Sequence, residues 1–421
     1  MSQRRRSRRY VRERLSSPTS SIRLLTLDVE NEKHFLAGSL GVFDLDQKSN
    51  YIAASYEWGE IEPEVDLVID GRLLPIRHNL GLLLSEIRNR IRRGKLAGDV
   101  RIWVDAVCID QTDVVERGQQ VSVMGQIFKS ARGVFAWLGH PEGRVPWQTF
   151  EFITERSWNH KARTKASYGY QYDAAQQALA QDLGSGVWEM VLLMCSCRYW
   201  SRRWVVQELL LATDVTIICG DADVAWFYLM KFLHWIDSVQ QPKSGRAQII
   251  GSIKTTLPFN MIRYTTVGSE SFKVPYQADD HSLMDLVTDF QGTECEVIHD
   301  KIYSLLSLSR ERARLSIDYR CSPQDLVANL FIEIGWSKPE HVRTISTAVG
   351  LAETVPYSFG VHILLAGVDL AAARKTIVGL EIPSQRYEQS LILVAISSSV
   401  VPESLRQCLF ELGEAWLQWL C

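Results

Sequence analysis

The stretch Ser196-Cys-Arg-Tyr-Trp-Ser-Arg-Arg-Trp-Val-Val-Gln-Glu-Leu-Leu-Leu-Ala212 carries two tryptophans, three arginines and one carboxylate. Val205 and Leu209 stand four residues apart, as in the buried face of a helix. Trp204 and Glu208 have the same spacing and therefore share another face. We expect Glu208 at the border of a buried surface, where loss of water raises a carboxyl pKa and nearby arginines lower it. A purely structural ion pair is the alternative interpretation.

Strands and helices alternate on both sides of this stretch. The predicted strands are apolar runs bounded by turn residues: Ile22–Leu27, Gly38–Phe43, Tyr51–Ser55, Arg101–Asp110, Val134–Gly139 and Asp214–Gly220. Between them, helical spacing predicts one helix capped by Asn79 and another that begins near Asp113, a residue suited to a helix N-terminus. This order indicates an α/β fold, in which a mostly parallel sheet has helices on both faces.

Two additions to this pattern are predicted. Asp70-Gly71 separates two apolar runs and favours a tight β-hairpin. Residues 140–190 are expected to form an insertion with helical segments near Pro146–Arg156 and Asp173–Leu183. Beyond 220 the pattern becomes mainly helical. We therefore predict three parts: a disordered basic arm at 1–20, an α/β domain at 21–220 and a mainly helical C-terminal region at 221–421.

Chemistry-bearing residues follow two of the predicted strands. After Ser55 come Tyr56, Trp58 and Gly59, which bring two aromatic faces and a flexible backbone to the edge where α/β folds bind ligands. The alternative is that both rings only fill the core. Asp105 interrupts an apolar run, so its carboxylate must be paired, hydrogen-bonded or at the ligand-facing end of the sheet. Its role is thus structural or ligand-orienting.

Three blocks of the sequence resemble the signature of one family. They are Ala54-Ser-Tyr-Glu-Trp-Gly59, Ile102-Trp-Val-Asp-Ala-Val-Cys-Ile-Asp-Gln111 and Tyr199-Trp-Ser-Arg-Arg-Trp-Val-Val-Gln-Glu208. Their content and order are similar to those of the heterokaryon-incompatibility (HET) domain, a fungal module of self/non-self recognition. The resemblance covers roughly half of the chain, about one domain. The third block also resembles the Trp-x-x-x-Glu helix of TIR domains, whose NAD-cleaving members use that glutamate in catalysis.

These resemblances imply a TIR/flavodoxin-like fold and an enzymatic reaction, the cleavage of NAD. Glu208 would be the catalytic carboxylate, stabilising the positive charge that develops on ribose as the bond to nicotinamide breaks. NAD would be the substrate, and no permanently bound cofactor is expected. Aromatic rings would stack on NAD and an arginine would meet its pyrophosphate. The residues expected around NAD are Tyr56, Trp58, Gly59, Asp105, Arg202, Arg203 and Trp204.

The resemblances also imply partners. HET proteins are similar to proteins that carry out programmed cell death, and TIR-like enzymes act as assemblies. We therefore expect self-association of this protein. We also expect an unknown incompatibility protein to be the trigger. The alternative function is a non-catalytic signalling and self-assembly module, in which Glu208 belongs to a structural network. Tryptophan and arginine side chains suit such assembly surfaces.

Charge and composition bear on nucleic-acid binding, cellular location, membrane spans and metal sites. The formal charge of -3 predicts no specific nucleic-acid binding, although residues 1–14 carry seven arginines and one glutamate. This arm leaves nuclear import as the alternative to a cytoplasmic location. We expect no membrane span, because apolar runs are short. The eight cysteines lack metal-ligand spacing, so we expect reduced thiols and no metal site. Motifs of phosphate-binding loops, zinc proteases and serine hydrolases are absent from the sequence.

Overall fold

The computed structural model of the chain describes residues 9–30, 35–45, 50–140, 148–154, 185–238, 246–265, 276–334, 344–345 and 347–349. Two compact units divide the chain, Met1–Tyr276 and Gln277–Cys421. The predicted boundary at residue 220 stays a prediction. The predicted helix at Asp173–Leu183 lies outside the described residues, as does residue 350 onward.

One mixed sheet forms the centre of the first unit. Its strands in the described residues are β1 Ser21–Leu27, β2 Leu36–Asp44, β3 Tyr51–Tyr56, β4 Glu64–Ile69, β5 Arg72–Arg77, β6 Arg101–Trp103, β7 Gly133–Trp137, β8 Val215–Cys219 and β9 Ala222–Ala225. They lie in the order β5-β4-β2-β1-β6-β3-β7-β8-β9. The neighbours β6, β3, β7 and β8 run parallel, as do β2 and β4. The remaining neighbours, β5–β4, β2–β1, β1–β6 and β8–β9, pair antiparallel. The predicted α/β class is confirmed.

Helices connect and flank these strands. In the first unit the described α-helices with defined bounds are α1 His78–Arg92, α2 Asp105–Cys108, α3 Val114–Ser130, α4 Ser185–Cys195, α5 Trp204–Leu210, α6 Trp226–Ser238, α7 Arg246–Ile253 and α8 Leu257–Met261. Helix α1 packs on β2 to β5, and α6 packs on β8 and β9. Apolar residues at helical spacing in α1, such as Leu80, Leu83, Leu84 and Ile87, are fully buried.

The predicted hairpin is confirmed. Strands β4 and β5 pair in an antiparallel register that sets Ile69 opposite Arg72. The two residues between them have positive φ angles, 49° at Asp70 and 76° at Gly71. This is the conformation that matches the twist of a two-residue hairpin, and aspartate and glycine adopt it at low cost.

Two local predictions were wrong. The apolar run Arg101–Asp110 is not one strand, because β6 ends at Trp103 and the short helix α2 begins at Asp105. The Asp105 carboxylate accepts a hydrogen bond from the Ala106 amide at 2.7 Å, which favours a helical turn over a strand. Asn79 is not the cap of α1, since it lies inside the helix and its side chain contacts other segments.

The predicted disordered arm at 1–20 is corrected for its second part. Residues 9–20 lie along the first unit: the Tyr10 amide donates to the Leu73 carbonyl at 2.8 Å, and Leu15 is buried. The segment thus lies beside the edge strand β5 and pairs with it through one parallel bridge, between Arg9 and Leu73. Residues 1–8 lie outside the described residues.

The second unit is helical where it is described. Its helices include α9 Leu283–Asp289, α10 Asp300–Leu306 and α11 Pro323–Ile334, and α9 packs against α10. Their facing residues Leu283, Leu286, Ile302 and Leu305 are fully buried. Across the described parts of both units, no helix combines the length and the apolar character needed to cross a membrane.

Candidate functional site

Three segments distant in sequence meet at one edge of the sheet. Strands β3 and β6 are parallel neighbours, with Ala53 paired to Trp103, so their carboxyl ends lie on the same side. The chain leaves β3 into Trp58 and leaves β6 into Asp105. Helix α5 brings Glu208 to the same place, where its carboxylate contacts Ser55 of β3. This is the edge where open α/β sheets bind ligands.

A chain of hydrogen bonds holds Glu208. The Ser55 hydroxyl donates to Oε2 of Glu208, and the hydroxyl oxygens of Ser55 and Tyr199 lie 2.6 Å apart. Because Ser55 has one hydroxyl proton and gives it to the carboxylate, Tyr199 must donate to Ser55. All three side chains are buried, and Glu208 is 3% exposed. The carboxylate is therefore oriented by a directed relay, Tyr199 to Ser55 to Glu208.

Arg202 is the cation of the site. Its Nη2 lies 3.3 Å from Oε1 of Glu208 and its Nη1 lies 3.5 Å from Oε2. The Arg202 side chain remains 18% exposed, unlike that of its partner. Burial raises the pKa of Glu208 above its ordinary value, and the charge of Arg202 and the Ser55 hydrogen bond only partly oppose this.

Asp105 supplies a second carboxylate beside the first. Its Oδ2 accepts the Trp58 indole N–H at 2.9 Å, and it also accepts a hydrogen bond from Tyr56. Burial raises the pKa of Asp105, while Arg202 lowers it. Burial alone would lower the pKa of Arg202, but the negative charges of Glu208 and Asp105 raise it. One guanidinium thus acts on two carboxylates, one buried and one half-buried, and we name Asp105, Arg202 and Glu208 the carboxylate centre.

The loop after β3 is fixed from one side by Arg77. The Arg77 guanidinium lies 4.9 Å from the centre of the Trp58 ring, a cation–π arrangement. The same side chain donates to the Gly59 carbonyl at 2.8 Å. Gly59 has a φ of 71°, which favours glycine at this turn. Trp58 is therefore held by Arg77 as well as by Asp105.

Asn79 also fixes the loop that follows β3. Its amide donates to the Glu57 carbonyl at 2.5 Å and accepts the Trp137 indole N–H at 2.9 Å. On the outer side, Arg198 forms ion pairs with Glu57 at 3.0 Å and Glu60 at 3.2 Å. The contacts of Asn79 explain why this residue does not cap α1.

Most of the predicted site residues lie together, namely Tyr56, Trp58, Gly59, Asp105, Arg202 and Glu208. Arg203 is 0% exposed and so offers no accessible guanidinium, and Trp204 is the half-buried first residue of α5. Tyr199 and Arg77 were not predicted as site residues. Tyr199 begins the third signature block, so its position there was an available signal.

The chain is similar to known proteins over the region of the carboxylate centre. The family model described as heterokaryon incompatibility protein (HET) matches residues 51–208. The Neurospora crassa protein named "Heterokaryon incompatibility protein 6, OR allele" is 32% identical over 350 residues, which are 73% of this chain and 50% of that protein. The chain therefore spans about half the length of this curated relative. No solved structure matches the chain.

The matched region includes both ends of the site. Ser55 to Gly59 lie near its beginning, and Glu208 is its last residue. Asp105 and Arg202 fall between them. The chain is therefore a HET-domain protein whose HET domain contains the whole carboxylate centre.

Proposed function

We propose that this protein acts in fungal heterokaryon incompatibility and that its carboxylate centre cleaves NAD at the bond between nicotinamide and ribose. The matched HET family and the name of the Neurospora crassa relative support the first part. Programmed cell death as the outcome, a TIR-like mode of action, self-association, an unidentified trigger protein and a cytoplasmic location belong to the same proposal.

The reaction suits one well-placed carboxylate. In NAD the nicotinamide nitrogen carries a positive charge, so the C1′–N bond breaks with its electron pair going to nitrogen and neutral nicotinamide leaves. Positive charge develops on the ribose and is stabilised by a nearby anion. Water then adds at C1′ and loses a proton, which yields ADP-ribose. No general acid is needed for the leaving group.

One observation carries the proposal: Glu208 is a buried carboxylate whose partners are a hydroxyl and a displaceable cation. The Ser55 hydroxyl fixes one oxygen, and Arg202 sits at 3.3 Å or more with part of its surface open to solvent. A diphosphate binds a guanidinium more strongly than a distant carboxylate does, in a bidentate geometry. Binding of the NAD pyrophosphate by Arg202 would therefore free Glu208 to face the ribose.

The same geometry favours a second candidate function. Glu208 is 3% exposed, and its oxygens already have donors in Ser55 and Arg202. A satisfied, buried network of this kind fixes the conformation of a domain without chemistry. In that case the HET domain transmits the incompatibility signal through protein contacts, and the centre only maintains its shape.

The isosteric variant Glu208→Gln tests the first function. Purified protein at high concentration is incubated with NAD, and released nicotinamide is measured by chromatography. We expect Glu208→Gln to lower the release rate on the order of a hundredfold. Expression of both proteins in fungal cells should give death only with the unchanged chain.

Glu86→Gln is the matched control, because Glu86 is also buried and is paired with Arg90 outside the centre. It should retain the release rate as long as it remains folded, which a thermal melt verifies. Equal nicotinamide release by Glu208→Gln and the unchanged chain would remove Glu208 from the chemistry. Cell death without any NAD cleavage would favour the signalling module.

A further inference from the structure

In the short helix α2, which carries Asp105, three of the four carbonyl groups accept hydrogen bonds from distant side chains. The last carbonyls of a helix lack amide partners within it, and α2 has only four residues. The Asp105 carbonyl accepts the Ile109 amide at 3.0 Å. The next three, those of Ala106, Val107 and Cys108, accept from arginine side chains. A helix this short depends on such partners, because its own propensity is too small.

Two of these donors come from the N-terminal arm. The guanidinium of Arg12 donates to the Val107 carbonyl at 2.9 Å through Nε and to the Ala106 carbonyl at 2.8 Å through Nη2. The planar fork of arginine matches two adjacent carbonyls in a way that a lysine ammonium cannot. A positive charge also suits the carboxyl end of a helix, where the dipole is negative.

Arg23 completes the support and joins it to the arm. It donates to the Cys108 carbonyl at 2.9 Å, to the Glu13 carbonyl, and to both oxygens of Glu116. Oxygen Oε1 of Glu116 also accepts the Asp110 amide at 2.8 Å. The segment after Asp105 is thus held on one side by Arg12 and on the other by the pair of Arg23 and Glu116.

We propose that Arg12 is a positioning residue of the carboxylate centre. By holding the carbonyl end of α2, the docked arm keeps Asp105 hydrogen-bonded to the Trp58 indole and within the electrostatic reach of Arg202. This inference rests on the proposed site but not on its reaction with NAD. Arg12 touches no group of the centre itself, so it acts through the helix. Detachment of the arm, by cleavage or by a partner that binds its arginines, would loosen Asp105 and disassemble the centre.

The test compares Arg12→Gln with Arg14→Gln in the full chain. Both changes remove one positive charge from the same segment, but Arg14 is exposed and the bonds to α2 come from Arg12. Amide hydrogen exchange, read by mass spectrometry, is followed in the peptide 104–111 and in α6 as a distant reference. We expect exchange in 104–111 to become about tenfold faster in Arg12→Gln, with α6 unchanged and Arg14→Gln like the unchanged chain.

Arg12→Lys provides a second variant in case Arg12→Gln does not fold. It keeps the charge but reaches one carbonyl at a time, so its exchange in 104–111 should lie between the two extremes. Equal exchange in Arg12→Gln and Arg14→Gln overturns the inference, and so does a uniform increase that includes α6. Where the unchanged chain releases nicotinamide, Arg12→Gln must also lower kcat more than it alters KM. An unchanged kcat overturns the positioning role, whereas absent release by the unchanged chain counts against the proposed function alone.

Discussion

Two glutamate–arginine pairs of the first unit, Glu116–Arg23 and Glu208–Arg202, differ in how closely their charges meet. In the pair Glu116–Arg23 the nearest atoms are 2.6 Å apart, both carboxylate oxygens are engaged, and the side chains are 6% and 2% exposed. In the pair Glu208–Arg202 the nearest atoms are 3.3 Å apart, and the arginine is 18% exposed. We name the pair Glu116–Arg23 the brace, because both of its charges are buried and fully paired. The pair Glu208–Arg202 is looser and partly open to solvent.

The difference indicates that a glutamate–arginine ion pair can either stabilise the fold or form part of a ligand site. A bidentate pair with short bonds leaves neither charge available to a ligand. The loose pair of Glu208 and Arg202 differs in two ways: its cation also acts on a second carboxylate, Asp105, and the pKa of its own carboxylate is raised by burial. Carboxyl groups whose pKa is raised by burial beside a charged partner are common at functional sites. Three changes test this comparison further.

The largest effect is expected at the brace. Arg23→Met leaves the buried charge of Glu116 without its cation, and removing one partner of a buried pair costs about 3–5 kcal/mol. The free energy of unfolding, measured with urea, should fall by that amount. The double variant Arg23→Met with Glu116→Leu should recover much of the loss, because no unpaired charge is then buried. A loss under about 1 kcal/mol in the single variant would show that the pair is not a brace.

A smaller effect is expected from pH. The pKa of Glu208 is raised above its ordinary value of 4.5, so the folded chain retains a proton that the unfolded chain releases. Stability must then fall as the pH rises from about 4.5 through the folded pKa, by about 1.4 kcal/mol for each unit of the shift. Urea titrations across this range should show the unchanged chain losing more stability than Glu208→Gln. A steeper loss in Glu208→Gln would mean that the pKa is lowered instead.

The smallest effect is expected from Tyr199→Phe. This variant removes the hydroxyl that donates to Ser55, and one neutral hydrogen bond contributes about 1 kcal/mol. Tyr51→Phe is its control, since Tyr51 is also buried and donates to a backbone carbonyl, that of Ile127, at 2.5 Å. Both should lower the melting temperature similarly, but only Tyr199→Phe should alter nicotinamide release. An equal effect of the two on release would place Tyr199 outside the site.

Local features of this fold could be predicted from the sequence, whereas long-range side-chain contacts could not. The turn at Asp70 and Gly71 depends on the backbone preferences of those two residues, so the sequence is sufficient. The apolar run Arg101–Asp110 predicts one strand, although periodicity alone does not separate a buried strand from a buried helical segment. The choice depends on Asp105, whose partner Trp58 lies 47 positions away.

The same limit applies to the candidate site. Glu208 was found through its signature block, but its contact with Ser55 spans 153 positions. Asn79 has the residue type of a cap, and only the meeting of β3, β7 and α1 shows that its amide serves Glu57 and Trp137. Arg12 belongs to an arginine-rich segment of the kind typical of disordered tails, and only the folded chain brings it to α2.

The bridge between Arg9 and Leu73 has a practical consequence for recombinant work. Strand β5 is the outermost strand of the sheet, and residues 9 and 10 occupy part of its free rim. A protein shortened to start at the first predicted strand would leave this rim open to pairing with neighbouring molecules. Such a sample should precipitate more readily than the full chain. Its poor solubility would then result from the truncation and not from the domain itself.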